Sequence, residues 1–274
     1  MYSLNLNGQL LSFDSPKLMG ILNATPDSFY ASSRVQGTAL LHKAEQMLTE
    51  GAHILDVGAM STRPGAAEIP EAEELATATE AIAALSKAFP HAPLSIDTYR
   101  SEVAKAALDH GAHIVNDVSG GQDPAMFPLV GHAKVPYILT HSRGNARTMG
   151  SLQQYDNLLL DMKEFFLAQM ALLKAAGCPD VVIDPGFGFA KSIEQNFHIL
   201  ANLDWFSFLD APILAGLSRK GMIWKTLNTN PDGALNGTTV LNTIALQKGA
   251  HILRVHDVAQ AKEAIALLQI LKEA

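Results

Sequence analysis

Eight short apolar runs in this 274-residue chain end in side chains that can hydrogen-bond or carry charge. They deliver Asn23, Asp56, Asp97, Asn116 with Asp117, Thr140 with His141, Asp184, the stretch from Ser218 to Lys220, and Arg254 with His256. Carboxylates and amides can read the edge of a polar heterocycle, while lysine and arginine can meet a phosphorylated group; an apolar ligand would use neither. One polar residue ending one strand is ordinary turn chemistry. All eight runs together describe one polar mouth. Of the histidines, only His141 and His256 end such runs. His53, His113 and His251 recur in the junction Gly-Ala-His-Ile ahead of an apolar run, where packing or capping is the expected role. His42, His91, His110, His132 and His198 fall in helical or loop patterns and are expected in solvent. With no cysteine pair and no His-Glu-x-x-His, zinc has little support. A magnesium ion held mainly by substrate phosphates needs only one or two protein oxygens and stays open.

Residues share one mouth only if the elements carrying them run parallel. The runs are Leu18 to Leu22, His53 to Val57, Leu94 to Ile96, Ile114 to Val118, Tyr137 to Thr140, Val181 to Ile183, Ile213 to Leu217 and Ile252 to Val255. Segments with helical spacing separate them, such as Leu40, Leu41, Ala44, Met47 and Leu48, which Gly51 is expected to stop in a left-handed cap. From Asn23 to Arg254 the run ends recur about every 33 residues, the size of one strand-helix-strand unit. Eight such units close a (β/α)8 TIM barrel, an α/β fold whose chemistry sits at the carboxyl ends of the strands. The rival, a doubly wound sheet, would carry Gly-x-Gly-x-x-Gly after its first strand, and none is there. Alternation from Tyr2 to Phe13 around Asn7-Gly8 predicts a short N-terminal β-hairpin covering the barrel's bottom. Residues 1–274 read as a single domain.

Composition agrees with a folded chain that buries a sizeable core: 48% of residues are hydrophobic and 17% charged, too apolar for a disordered chain. A net charge of −7 has the wrong sign for a phosphate backbone, so nucleic acid is not an expected partner. Cys178 is alone and cannot form an internal disulfide, and no apolar stretch reaches the ~18 residues of a membrane span. Asn5, Asn7 and Asp14 interrupt the N-terminal apolar residues, which therefore do not read as a secretory signal. A reducing cytoplasm is the expected location, with no membrane partner.

The motifs at the mouth resemble those of the dihydropteroate synthase family, within the pterin-binding enzymes. The resemblance runs from Met19 to Val258 through Met19-Gly-Ile-Leu-Asn-Ala-Thr-Pro-Asp-Ser-Phe29, Ser61-Thr-Arg-Pro-Gly65, Ser95-Ile-Asp-Thr98, Asn116-Asp117, Asp184-Pro-Gly-Phe-Gly-Phe189, Ser218-Arg-Lys220 and Arg254-Val-His-Asp257. It implies a (β/α)8 barrel that joins 6-hydroxymethyl-7,8-dihydropterin pyrophosphate to p-aminobenzoate and releases pyrophosphate with Mg²⁺. It implies that Asp97, Asn116, Asp184 and Lys220 hold the pterin. Two adjacent N–H donors on a pterin edge suit the Asp184 carboxylate, and Lys220 can donate to the oxo group. Arg254 would stack on the ring with its charge toward the pyrophosphate. His256 and Asn23 would stand on the pyrophosphate and metal side, Thr62 and Arg63 would complete the anion site, and Asp27 would close over a cationic intermediate. Ser218, at a helix start, would receive the p-aminobenzoate carboxylate, and Phe189 would pack on its ring. The resemblance further implies a homodimer and a sulfonamide target.

The chain departs from the family pattern at Tyr30-Ala-Ser-Ser33, Ala59-Met60 and Thr140-His-Ser-Arg143. These positions shape the loops around the p-aminobenzoate site. A pterin-dependent methyltransferase would share the pterin-holding Asp and Asn, but Thr62-Arg63, Ser218-Arg-Lys220 and Arg254-Val-His256 favour a pyrophosphate-bearing substrate. A non-catalytic pterin-binding paralogue would not need the first- and second-loop motifs, which are intact.

Overall fold

Runs rich in Ile, Val and Leu become strands here because each is only a few residues long and bounded by glycine, proline or a polar turn. The computed structural model describes residues 2–24, 35–60, 69–145 and 147–273. A hairpin of β1 (Ser3–Leu6) and β2 (Gln9–Ser12) precedes β3 (Lys17–Asn23), α1 (Val35–Glu50), β4 (Ile54–Gly58), α2 (Glu71–Ala88) and β5 (Leu94–Asp97). Then come α3 (Ser101–Asp109), β6 (Ile114–Asp117), α4 (Met126–Ala133), β7 (Tyr137–Thr140), α5 (Leu158–Ala176), β8 (Val181–Asp184) and α6 (Ile193–Ala201). The chain ends with β9 (Leu214–Ala215), α7 (Gly221–Thr226), α8 (Leu235–Gln247), β10 (Ile252–Val255) and α9 (Val258–Glu273).

Strands β3 to β10 are parallel and ordered β8-β7-β6-β5-β4-β3-β10-β9, and a parallel bridge from Ile183 to Ile213 closes the ring. The fold is the expected (β/α)8 barrel, with the N-terminal hairpin present. In the hairpin turn, Asn7 and Gly8 both have positive φ, 52° and 94°, the pairing that matches the twist of two antiparallel strands.

Two expected runs end early. β9 pairs over only two residues, and Gly216 beyond it leaves room that Lys220 Nζ and Asp184 Oδ2 occupy, 3.7 and 3.9 Å from where its Cβ would stand. β6 stops at Asp117, whose carboxylate accepts from Ser119 N, Ser119 Oγ and Gly121 N and so turns the chain before it can extend.

A strand's period of two then sorts the barrel interior by height. Met19, Ile54, Ile114, Ile138, Val182, Leu214 and Ile252 form an apolar layer at the bottom with Leu4, Leu6 and Phe13 of the hairpin segment. Two residues further along the same inward rows stand Asp56, Asn116, Thr140, Asp184 and Arg254, and Asp97 follows Ser95 in the same way. A larger apolar layer fills the space between the strands and the surrounding helices.

Gly51, Gly111 and Gly249 end their helices with φ of 111°, 112° and 90°, as the repeated junction predicts. The histidine that follows each has a structural task. His53 Nδ1 accepts from Leu18 N, His113 Nδ1 from Leu94 N and His251 Nδ1 from Ile213 N, at 3.1, 3.2 and 3.1 Å. Each imidazole continues the hydrogen-bond ladder one step below its strand. Among the described residues, no helix is long and apolar enough to cross a membrane.

Candidate active site

Arg254 reaches into the barrel from β10 and crosses to two strands on the far side of β3. Its Nε donates to Asp56 Oδ2 at 2.6 Å and its Nη2 to Asp97 Oδ2 at 2.5 Å. Asp56 Oδ2 also accepts from Asn116 Nδ2 at 3.0 Å. Burial works against the Arg254 charge, but Asp56 and Asp97 outweigh it and hold its pKa above the ordinary value. Burial pushes Asp97 up to about 7, with the Arg254 charge opposing. Asp56 Oδ1, Asp97 Oδ1 and Thr140 Oγ1 are buried with no hydrogen-bond partner. Unmet acceptors in the upper barrel suit a ligand that brings N–H donors.

Across the mouth, Asp184 Oδ1 accepts from Gly186 N at 2.8 Å. Burial raises the Asp184 pKa, and the Lys220 charge opposes that rise. Lys220 Nζ donates to Phe187 O and lies 4.9 Å from the centroid of the half-buried Phe189 ring. Burial lowers Lys220 to about 8, Asp184 opposing. Carboxylates, a lysine and an arginine thus share one enclosed space, where charge interactions are stronger than in water.

Ser218 does not begin a helix. Arg219 takes a left-handed φ of 54° and Lys220 is extended, so α7 starts only at Gly221. Ser218 Oγ lies 2.9 Å from His256 Nδ1 and accepts from His256 N at 3.2 Å, joining the loops after β9 and β10. Arg219 is bidentate on Asp257, at 2.9 and 2.8 Å, and ties the same two loops from outside. Asn23 is exposed at the carboxyl end of β3. Asp27, Thr62, Arg63 and the departure at Tyr30–Ser33 lie outside the described residues.

Ala59 and Met60 are buried just beyond β4. Thr140 and His141 are buried as well, and burial, with the nearby Lys191 charge, keeps the His141 pKa well below its usual value. Arg143 stacks 3.9 Å above the centroid of the Tyr155 ring and reaches Asp161 at 3.1 Å. The five histidines expected in solvent are exposed.

Two residues at this mouth escaped assignment from sequence. Asp56 ends a run but has no motif of its own, and only the barrel's closure shows that it orients Arg254 and Asn116. Lys191 is buried and donates to three backbone carbonyls; burial lowers its pKa, and the Asp184 charge opposes that fall. Its one signal in the sequence is a lysine directly after an apolar, glycine-rich loop.

With this geometry in place, residues 19–256 match the family described as pterin binding enzyme. The chain belongs to the pterin-binding enzyme family. Among its relatives in that family, the dihydropteroate synthase of Escherichia coli K12 is 38% identical over 96% of this chain and 94% of the relative. The dihydropteroate synthase of Yersinia pestis, solved with a sulfonamide drug complex, superposes with a TM-score of 0.93 at 36% identity and full coverage of both chains. That of Xanthomonas albilineans, solved with 4-aminobenzoic acid, gives 0.91 at 35% identity, covering 99% of this chain and 98% of the other.

Proposed function

We propose that this barrel carries out the dihydropteroate synthase reaction, condensing 6-hydroxymethyl-7,8-dihydropterin pyrophosphate with p-aminobenzoate to give 7,8-dihydropteroate and pyrophosphate. The observation that carries the reading is the convergence of Arg254, Asp97, Asp184 and Lys220 in one enclosed mouth, with acceptor atoms left unmet. Asp184 accepts from the paired N–H donors of the pterin edge, Lys220 donates to the oxo group, and Asn116 and Asp97 fix the rest of the ring. Arg254 covers the ring face while its charge, with that of Arg63 and with the help of His256, offsets negative charge gathering on the departing pyrophosphate oxygens. The bond from the pterin methylene to the pyrophosphate oxygen breaks first and leaves a cation stabilised by the pterin. The neutral arylamine nitrogen then attacks the methylene and loses a proton. Asp27, in the sequence after β3, is assigned to stabilise the cation, and Thr62 to help hold the anion. Phe189 walls the arylamine, and Ser218 fixes the rim on its carboxylate side through His256.

Among the described residues no group of three or more His, Cys, Asp or Glu side chains gathers to hold a metal by itself. The exposed amide oxygen of Asn23 suits a hard cation that takes its remaining oxygens from the substrate. Mg²⁺ held there would supply charge neutralisation to the pyrophosphate. We also propose a homodimer, supported by an apolar face on α9, where Leu267, Ile270 and Leu271 are 73%, 67% and 65% exposed. A cytoplasmic location fits the lone free Cys178. Sulfonamides are expected to compete with p-aminobenzoate.

The purified protein is expected to release pyrophosphate only when the pterin pyrophosphate, Mg²⁺ and p-aminobenzoate are all present, followed by a coupled phosphate assay with chromatographic detection of dihydropteroate. Protein that binds a pterin yet forms no dihydropteroate is a binding paralogue, and the enzymatic reading fails.

A further inference from the structure

The loop of residues 185–190, on which Phe189 stands, is folded against ordinary backbone preference. Gly186, Gly188 and Ala190 have φ of 70°, 84° and 49°, and alanine rarely takes such a value. A Cβ on Gly186 would stand 2.1 Å from His141 O, so the loop also lies hard against the end of β7.

This fold brings carbonyls to one point. Lys191 Nζ donates to His141 O, Gly186 O and Phe189 O, each at 3.0 Å. The side chain is 4% exposed, and three donors are all an ammonium has. Burying a charge is costly unless every donor is met, and here all three are met by backbone of the loop and of His141 just beyond β7. From the segment after β7, Tyr155 OH donates to Ala190 O at 3.0 Å, with Arg143 stacked on its ring. The loop is thus pinned by Lys191 and Tyr155, and by Asn196, whose Oδ1 accepts from Gly188 N at 2.7 Å, while its front presents the Phe189 ring and the Phe187 carbonyl to Lys220.

We propose that Lys191, seconded by Tyr155, is a positioning residue for the arylamine subsite: its grip on three carbonyls fixes residues 185–190 so that the Phe189 ring is set before the arylamine arrives. The proposal rests on the reading of Phe189 as the arylamine's wall. Lysine does this better than a neutral side chain because a single ammonium can hold three carbonyls from two segments together. Of the residues proposed to hold the pterin, Asn116, Asp97 and Arg254 stand on β6, β5 and β10, away from the loop, whereas Asp184 and Lys220 touch it at Gly186 N and Phe187 O, so the pterin's response is expected to be smaller than the arylamine's.

Lys191→Met keeps most of the stem and removes the ammonium. It is expected to raise KM for p-aminobenzoate about tenfold, as for loss of a charge-assisted hydrogen bond, and to raise the calorimetric Kd of a pterin analogue by clearly less. Tyr155→Phe is expected to shift the same constant in the same direction by less, and Lys191→Arg to recover part of the loss. A merely structural lysine would lower the melting temperature without separating the two substrates. If Lys191→Met does not fold, Tyr155→Phe decides. Active wild-type protein whose folded variants keep the wild-type KM for p-aminobenzoate, or weaken both substrates equally, overturns the positioning role alone. Wild-type protein that makes no dihydropteroate overturns the functional reading and this inference with it.

Discussion

Asp97 and Lys220 face each other across the mouth with pKa values drawn toward neutrality from opposite sides, and both for the same reason. An enclosed barrel disfavours charge, so burial raises the carboxyl to about 7 and lowers the ammonium to about 8. The charged pair proposed to hold the pterin therefore exists in a narrow interval. Below about pH 7 Asp97 takes up a proton, and above about pH 8 Lys220 loses one. The expected result is a bell-shaped dependence of kcat/KM for the pterin substrate, with its maximum between these values. A profile that stays flat from about pH 6 to about pH 9 would show that neither group titrates in the free enzyme. Arg254 stays charged through this interval, because its pKa is held above the ordinary arginine value. Asp56 Oδ2 accepts from both Arg254 and Asn116 and so orients the two together.

The helix-to-strand junction is the element that repeats, and it carries its own pH dependence. In all three copies the imidazole Nδ1 must be an unprotonated acceptor, and burial is the leading cause that lowers the pKa of His53, His113 and His251. A histidine whose folded pKa lies below its unfolded value binds fewer protons when folded, so the unfolded chain is favoured as acid is added. Stability is then full above the unfolded value of about 6.5 and is lost as pH falls through the depressed folded values. Each junction adds at most about 1.4 kcal/mol per pH unit to the acid slope. Urea melts of the triple variant His53→Asn, His113→Asn, His251→Asn are expected to show a shallower decline below pH about 6.5 than wild type, since an amide oxygen accepts without titrating. Equal slopes would assign acid sensitivity to other groups.

Across the whole molecule, stability and chemistry are placed at opposite ends of the same eight strands. The lower interior is apolar and sealed by the hairpin, whereas the upper interior holds Asp56, Asp97, Asn116, Asp184 and Arg254. Leu4 on β1 is 1% exposed in the lower layer. Leu4→Ala is expected to cost about 2–5 kcal/mol of unfolding free energy through lost burial and a cavity. At temperatures where the variant stays folded, kcat and both KM values should match wild type. A large fall in kcat with an intact fold would show that the bottom layer sets the geometry of the mouth and is more than support.

The sequence by itself determined the eight-unit alternation, the Asn-Gly hairpin, the glycine-capped junctions and the roster of polar residues at one mouth, because each of these is local. A turn needs a left-handed residue, a strand needs short apolar runs, and the period of two fixes which residues share a face. What only the tertiary structure decided is which of those residues meet. Arg254 lies 198 residues from Asp56 and 157 from Asp97, and no spacing along the chain foretells their contact. The start of α7 moved from Ser218 to Gly221 because Arg219, tied to Asp257 on the neighbouring loop, takes a left-handed turn that its residue type does not announce. Lys191 read as one more lysine, since its partners are backbone carbonyls, which carry no side-chain signature. Barrel closure brings those carbonyls together, and only then does the lysine acquire its task.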